Sequence, residues 1–299
     1  MHVVITDSGL GGLGICAAIE NAVRHSSQGG GVALTYFNAW PEQGRGYNSM
    51  PDEASRVASF DCALTRMGQL RPDRIVIACN TLSVLFPLTR YAVSSPIPVV
   101  GIIDAGVALF SEALDADPQS SIALFGTRIT MDSGVHRDRL LQRGVAAARV
   151  VSVPSHGLAA AIEKDAGGVE VERLIDECAS QAAALLPREG PVLAGLCCTH
   201  YGYVADQFRF SLERALGRPA QILDPNDAMV RFLTPVLTIE LSGAEAVTPG
   251  SSSGAVSVAV ISKVSLDERT RAGIGRLVAP ISAATADALL AYTHVPDLF

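Results

Sequence analysis

Two short apolar runs in this chain stop on cysteine: RIVIACNTLSV ends its run at Cys79, and AGLCCTHYGY ends its run at Cys197 and Cys198. Cys79 and Cys198 lie 119 positions apart. The same offset carries Asp7 and Ser8 of VVITDSGLGG onto Gly126 and Thr127 of IALFGTRITMDSG, and VALTYFN from Val32 onto VSVPSHG from Val151. It also lays the window 51–69 over 170–188, both rich in Ala with acidic residues near the start. Few residues are identical between the halves, so what repeats is a pattern in register. Such a repeat makes each half one α/β lobe with a thiol at the same place.

The periodicity predicts strands at 3–6, 32–37, 74–78 and 98–103 in the first half. Their partners fall at 121–125, 148–153, 192–196 and 221–223, with helical windows in every gap. A last strand at 256–261 and a helix at 266–278 follow, and their expected place is against the first lobe. Strands alternating with helices favour parallel sheets covered on both faces. The expected fold is therefore α/β, with two pseudo-symmetric lobes, each a mainly parallel sheet flanked by helices, and the active site in the inter-lobe cleft. SSQGGG at 26–31 reads as a turn and TPGSSSG at 248–254 as a flexible loop.

With 299 residues and 48% apolar content there is ample material for two cores. A formal charge of −7 and no Lys/Arg cluster disfavour a nucleic-acid or anionic-membrane partner. No apolar run reaches membrane-spanning length, and the first residues enter a strand without a secretion-signal pattern. Six cysteines without disulfide-like spacing then predict reduced thiols and a cytoplasmic location.

Ligands of parallel α/β sheets sit at the carboxyl ends of strands, so residues there carry the chemistry. DSGLGGLG, 7–14, is a Gly-rich turn whose N–H groups could face an anion, or a tight structural turn; its spacing is not that of a dinucleotide site. Each cysteine taken alone reads equally as a small buried hydrophobe. At matched positions the pair points to reaction chemistry. Two thiols can take a proton from one face of a carbon and deliver another to the opposite face, which inverts a stereocentre. A pyridoxal phosphate route needs a lysine, yet the two lysines, Lys164 and Lys263, both lie outside the strand-end loops of the repeat. The six histidines lack metal-ligand spacing, so no cofactor and no metal are expected. His200 is the exception in placement, two residues after Cys198, as a tuning neighbour or a packed ring.

The blocks DSGLGG, ACNT, GTRITMDSG and CTHY, in this order and spacing, resemble those of the glutamate racemases, within the aspartate/glutamate racemase superfamily. The resemblance runs from Val3 to the helix near Val278. It implies cofactor-independent interconversion of L- and D-glutamate by a two-cysteine, two-base mechanism, and with it a place in supplying a cell-wall precursor. It also implies a discontinuous first lobe, drawn here as 1–100 plus 222–299, with 101–221 as the second. Carried over residue by residue, Cys79 is the base for the D enantiomer and Cys198 for the L enantiomer. Asp7 assists Cys79, and His200 assists Cys198. Glu163 resembles a glutamate near the second cysteine, or lies on a solvated helix face. Ser8, Asn80, Thr81, Thr127, Thr130 and Thr199 match substrate-binding positions and offer hydroxyl or amide donors to a dicarboxylate.

There are departures as well. Where the family carries Gly-Asp and then Pro-Tyr-Gly, this chain has NAWPEQGRGYNSM, in which only Tyr47 survives, between Gly46 and Asn48. Tyr47 and Asn48 are the substrate-contact candidates of that loop, and its change opens specificity toward another carboxylate such as aspartate. Cys197 stands where a glycine is usual and Gly202 where a proline is usual. Cys197 reads as packed and inert, and Cys16, Cys62 and Cys178 as core. A two-lobed protein that binds an acidic amino acid without turning it over is the rival from another class, although binding alone would not require both thiols. The expected partner is a small amino-acid substrate, and a homodimer stays open.

Overall fold

The computed structural model describes residues 1–25, 31–243 and 256–299, with the side chains of 239–243 left aside. Positions 26–30 of the expected turn and the tract 248–254 lie outside the described residues. The chain forms two units, Met1–Gly101 with Met229–Phe299, and Ile102–Ala228. The first opens with β1 (His2–Asp7), α1 (Leu13–Arg24), β2 (Val32–Asn38), α2 (Glu53–Gln69), β3 (Arg74–Ile77), α3 (Asn80–Leu85), α4 (Arg90–Ser94) and β4 (Val99–Gly101). The second holds α5 (Ile102–Ala116), β5 (Ser121–Gly126), α6 (Arg128–Asp132), α7 (Val135–Gln142), β6 (Val150–Pro154), α8 (Leu158–Asp165), α9 (Val169–Leu185), β7 (Val192–Cys197), α10 (Ala205–Leu216) and β8 (Ala220–Leu223). Within α11 (Pro225–Gly243) the chain passes from the second unit back to the first. There it adds β9 (Val256–Ser262), α12 (Glu268–Val278), α13 (Ala283–Leu290) and β10 (Thr293–His294).

Every strand pair is parallel. The sheets run β10-β9-β2-β1-β3-β4 and β6-β5-β7-β8. Their shared segments, β2-β1-β3-β4 and β6-β5-β7-β8, have one order. All six residues of β5 and of β7 are buried, as strands covered on both faces must be, which is why their sequences read as unbroken apolar runs. In each sheet the chain steps from the central strand to one side and returns on the other. The connections therefore diverge at the carboxyl ends of β1 and β3 in one unit, and of β5 and β7 in the other. Such a switch point is where open α/β sheets hold ligands.

Several expectations need correction. The strand expected at 98–103 is only β4, and Ile102 and Ile103 begin α5 with their side chains buried. Periodicity alone cannot separate a short apolar strand from the buried start of a helix. The expected lobe boundary at 221/222 falls inside β8, whose pairing with β7 keeps it in the second unit as far as Ala228. Cys62 is exposed, not core. Helix α2 buries Phe60, Ala63, Leu64 and Met67, a spacing of one helical face, and position 62 lies off it. α13 and β10 were not anticipated. Glu20 of α1 anchors α13 by accepting a 2.7 Å hydrogen bond from Ser282 Oγ. Among the described residues no helix is long and apolar enough to cross a membrane.

Candidate active site

In the first unit Cys79 follows β3 and caps α3, its Sγ accepting from the Leu82 N–H at 3.5 Å. Ser8 follows β1 on the other side of the switch point, and its Oγ lies 3.1 Å from Cys79 Sγ and 3.5 Å from Asp7 Oδ1. Asp7 is buried. A Cβ on Gly12 would stand 2.8 Å from Asp7 Oδ2, so this glycine of the DSGLGG turn makes room for the carboxylate. Burial pushes the Cys79 thiol well above the usual range and the Asp7 charge pushes it further, while hydrogen bonds from Ser8 and Leu82 oppose them. Asn80 and Thr81 form the buried first turn of α3. Neither end of the Asn80 amide has a hydrogen-bond partner among the described residues.

The altered loop after β2 is tied to the turn after β9. Asn38 Nδ2 donates to Ser262 Oγ at 3.0 Å. The Gln43 amide meets the Ser265 backbone twice, accepting from its N–H at 2.8 Å and donating to its carbonyl at 3.3 Å. The loop ends in a 3-10 turn over Tyr47–Ser49. Tyr47 is buried edge-on to Phe60, ring centroids 6.5 Å apart, whereas Asn48 is exposed.

In the second unit Cys198 follows β7 in extended conformation and leads into a 3-10 turn over Thr199–Val204. His200 Nδ1 lies 3.7 Å from Cys198 Sγ, and His200 Nε2 lies 2.7 Å from Glu163 Oε1 on α8. Glu163 therefore does not belong to a solvated face alone. Burial works against the imidazolium, but the contacts to Cys198 and Glu163 outweigh it and hold His200 well above its usual range. Thr127 caps α6 after β5, its Oγ1 accepting from the Thr130 N–H at 3.4 Å and lying 3.0 Å from Thr130 Oγ1. Cys197 is fully buried, and burial, then the charges of Cys198 and Asp224, push its thiol well up.

Of the expected residues, Asp7, Ser8, Cys79, Asn80 and Thr81 lie at strand ends of one unit, with Tyr47 buried and Asn48 exposed in the loop after β2, and Thr127, Thr130, Glu163, Cys198, Thr199 and His200 lie in the other. Asp224 and Asn226, directly after β8, were missed. Asn226 Nδ2 donates to the Thr199 carbonyl at 3.0 Å. Their signal was position at the carboxyl end of a strand; in the repeat they fall on Ala105 and Val107, which carry no polar group to flag them. Burial raises the Asp224 carboxyl to about 7, against the stabilising Asn226 N–H.

Two doubly wound sheets, each with a thiol after a strand at its switch point, define an α/β protein of the class whose ligands sit at strand carboxyl ends. The family model for Asp/Glu/hydantoin racemases matches residues 8–233, and the chain belongs to that family. It is an isomerase of the racemase type. A glutamate racemase of Granulibacter bethesdensis is 28% identical over 235 residues, 77% of this chain and 76% of that protein. One of Aquifex pyrophilus is 29% identical over 237 residues, 77% and 80% of the two chains. In fold the chain is similar to the glutamate racemase of Campylobacter jejuni, with a TM-score of 0.66 at 20% identity over 93% of this chain and 98% of that one. The same score, at 19% identity and 93% of each chain, is found for the Francisella tularensis enzyme solved in complex with D-glutamate.

Proposed function

We propose that this enzyme interconverts L- and D-glutamate without a cofactor, using Cys79 and Cys198 as its two bases. The observation that carries the reading is the paired placement of a thiol at each switch point, each with its own acid–base neighbour: Asp7 by way of Ser8 for Cys79, His200 for Cys198. The substrate is taken from the relatives, several of which are named glutamate racemases.

In the L-to-D direction the Cys198 thiolate takes the Cα proton, leaving its electron pair on the carbon and the adjoining carboxylate. Cys79 then delivers its S–H proton to the opposite face, and the return reaction reverses the roles. Burial and the Asp7 charge push the Cys79 thiol up, which favours the protonated, donating form that the L-to-D direction needs. An imidazolium at His200, sustained by Glu163, offers Cys198 a countercharge or a proton. Ser8, Asn80, Thr81, Thr127, Thr130 and Thr199 hold the substrate's charged groups through neutral donors, with Tyr47 and Asn48 bordering its side chain. The Asn80 amide supports this, since a buried amide without a partner is costly unless a ligand completes it.

The test is a panel of L-amino acids in D2O, followed by proton NMR for loss of the Cα–H signal after exhaustive dialysis and chelation. Exchange of glutamate is expected. Exchange of another acid alone replaces the substrate, dependence on an added cofactor sinks the mechanism, and binding without exchange makes this a binding protein.

A further inference from the structure

β7 and β8 run side by side with Gly195 paired to Leu223, so Cys198 and Asp224 leave the sheet at the same end. The turn that begins at Thr199 then folds over the start of α11. There Asp224 Oδ1 accepts from the Asn226 N–H at 2.9 Å, which holds the Asn226 side chain under the turn, and Asn226 Nδ2 donates to the Thr199 carbonyl. The fit leaves no space: a Cβ on Gly202 would stand 2.5 Å from Asp224 Oδ2 and 2.8 Å from Asn226 Nδ2. Glycine at 202 is therefore the counterpart of the polar pair beneath it. Within the turn, Tyr201 N–H donates to the Cys198 carbonyl at 3.0 Å. The peptide groups on both sides of Thr199 are thus held, and Asn226 holds the second of them from outside the turn. The other end of its amide, Oδ1, is buried with no hydrogen-bond partner among the described residues, so the bond to the Thr199 carbonyl is what orients this amide.

We infer that Asn226, braced by Asp224 and admitted by Gly202, is a positioning residue that sets the Cys198 thiol against His200. The inference rests on the two-thiol reading above and adds a residue that touches neither substrate nor thiol. A sulfur 3.7 Å from an imidazole nitrogen leaves little tolerance. Loss of the Thr199 anchor should let the turn drift, and misplacement of a reacting group by about 1 Å can cost on the order of a hundredfold in rate.

The experiment compares wild type with Asn226→Asp, which keeps size but turns a donor into an acceptor facing a carbonyl, and with Asn226→Ala. A kcat/KM loss of about ten- to a hundredfold is expected, carried by kcat with KM changed less than about twofold. Enantiomers have equal free energy, so kcat/KM falls alike in both directions. The primary isotope effect identifies the slowed step, and with Cα-deuterated L-glutamate it should rise. In the same samples, alkylation of Cys198 by iodoacetamide, read by peptide mass spectrometry, should slow about fivefold while Cys79 keeps its wild-type rate. A lower melting temperature with unchanged isotope effect and unchanged Cys198 alkylation would reduce Asn226 to a structural residue, and equal slowing at both thiols would also overturn the inference. Should Asn226→Ala fail to fold, the isosteric Asn226→Asp is read alone. If the wild type exchanges the Cα proton of no amino acid, the two-thiol reading falls by itself, and the alkylation arm still decides whether Asn226 positions Cys198.

Discussion

His200 lies in a line from Cys198 to Glu163, with Nδ1 3.7 Å from the thiol sulfur and Nε2 2.7 Å from the carboxylate. Replacing Glu163 by Gln keeps the hydrogen bond and removes the charge. Burial, which disfavours the imidazolium, then meets less opposition, and the His200 value falls. Activity should drop about ten- to a hundredfold at alkaline pH and less at pH 6, so that the alkaline limb of the pH–rate profile moves down in pH. Stability changes in the same sense. A histidine raised above its unfolded value contributes stability that is complete below about pH 6.5 and is lost as pH rises through its folded value. That alkaline loss should be smaller in the variant. An unmoved profile would detach Glu163 from the thiol.

Cys197 and Cys198 are neighbours with opposite expected behaviour. Serine at 198 or at 79 presents a hydroxyl far too weak an acid to serve, and racemisation should fall by orders of magnitude in both directions. Cys197→Ala empties only a thiol's volume in a buried site and should cost about 1 kcal/mol of stability with most activity retained. An inactive Cys197→Ala beside an active Cys198→Ser would invert the assignment.

The loop before Tyr47 is closed by an aromatic contact. A Cβ on Gly46 would stand 2.9 Å from Trp40 Cη2 and Cζ2, so Gly46→Ala must displace the indole. Tyr47 should shift with it, changing relative kcat/KM across a panel of acidic amino acids by about tenfold, with Cα–H exchange chemistry intact. Identical ratios in the variant and the wild type would take this loop out of specificity.

His136 provides a test unrelated to catalysis. It is buried, neither ring nitrogen has a partner among the described residues, and burial with the Arg139 charge lowers it to about 4. A folded value below the unfolded one gives stability that is present above about pH 6.5 and is lost as pH falls toward 4, on the order of 3 kcal/mol. His136→Phe, beside Phe110 at a ring distance of 6.2 Å, should flatten melting temperature over that interval. An acid loss equal to that of wild type would assign it to other groups.

By itself the sequence determined the alternation of strand and helix, the repeat, and the residues at each strand end. These follow from local periodicity and from the chain's need to bury both faces of each sheet, so β3 and β7 were legible as apolar runs and Cys79 and Cys198 as their matched endings. Tertiary structure decided what adjacent positions could not encode. Cys62 shares a helix with core residues, yet faces outward because side-chain direction depends on the turn of the helix. Glu163 reached His200 from 37 positions away, and Asn226 reached Thr199 from 27. No local pattern records such contacts, since a hydrogen bond between distant segments depends on where packing brings two strand ends together.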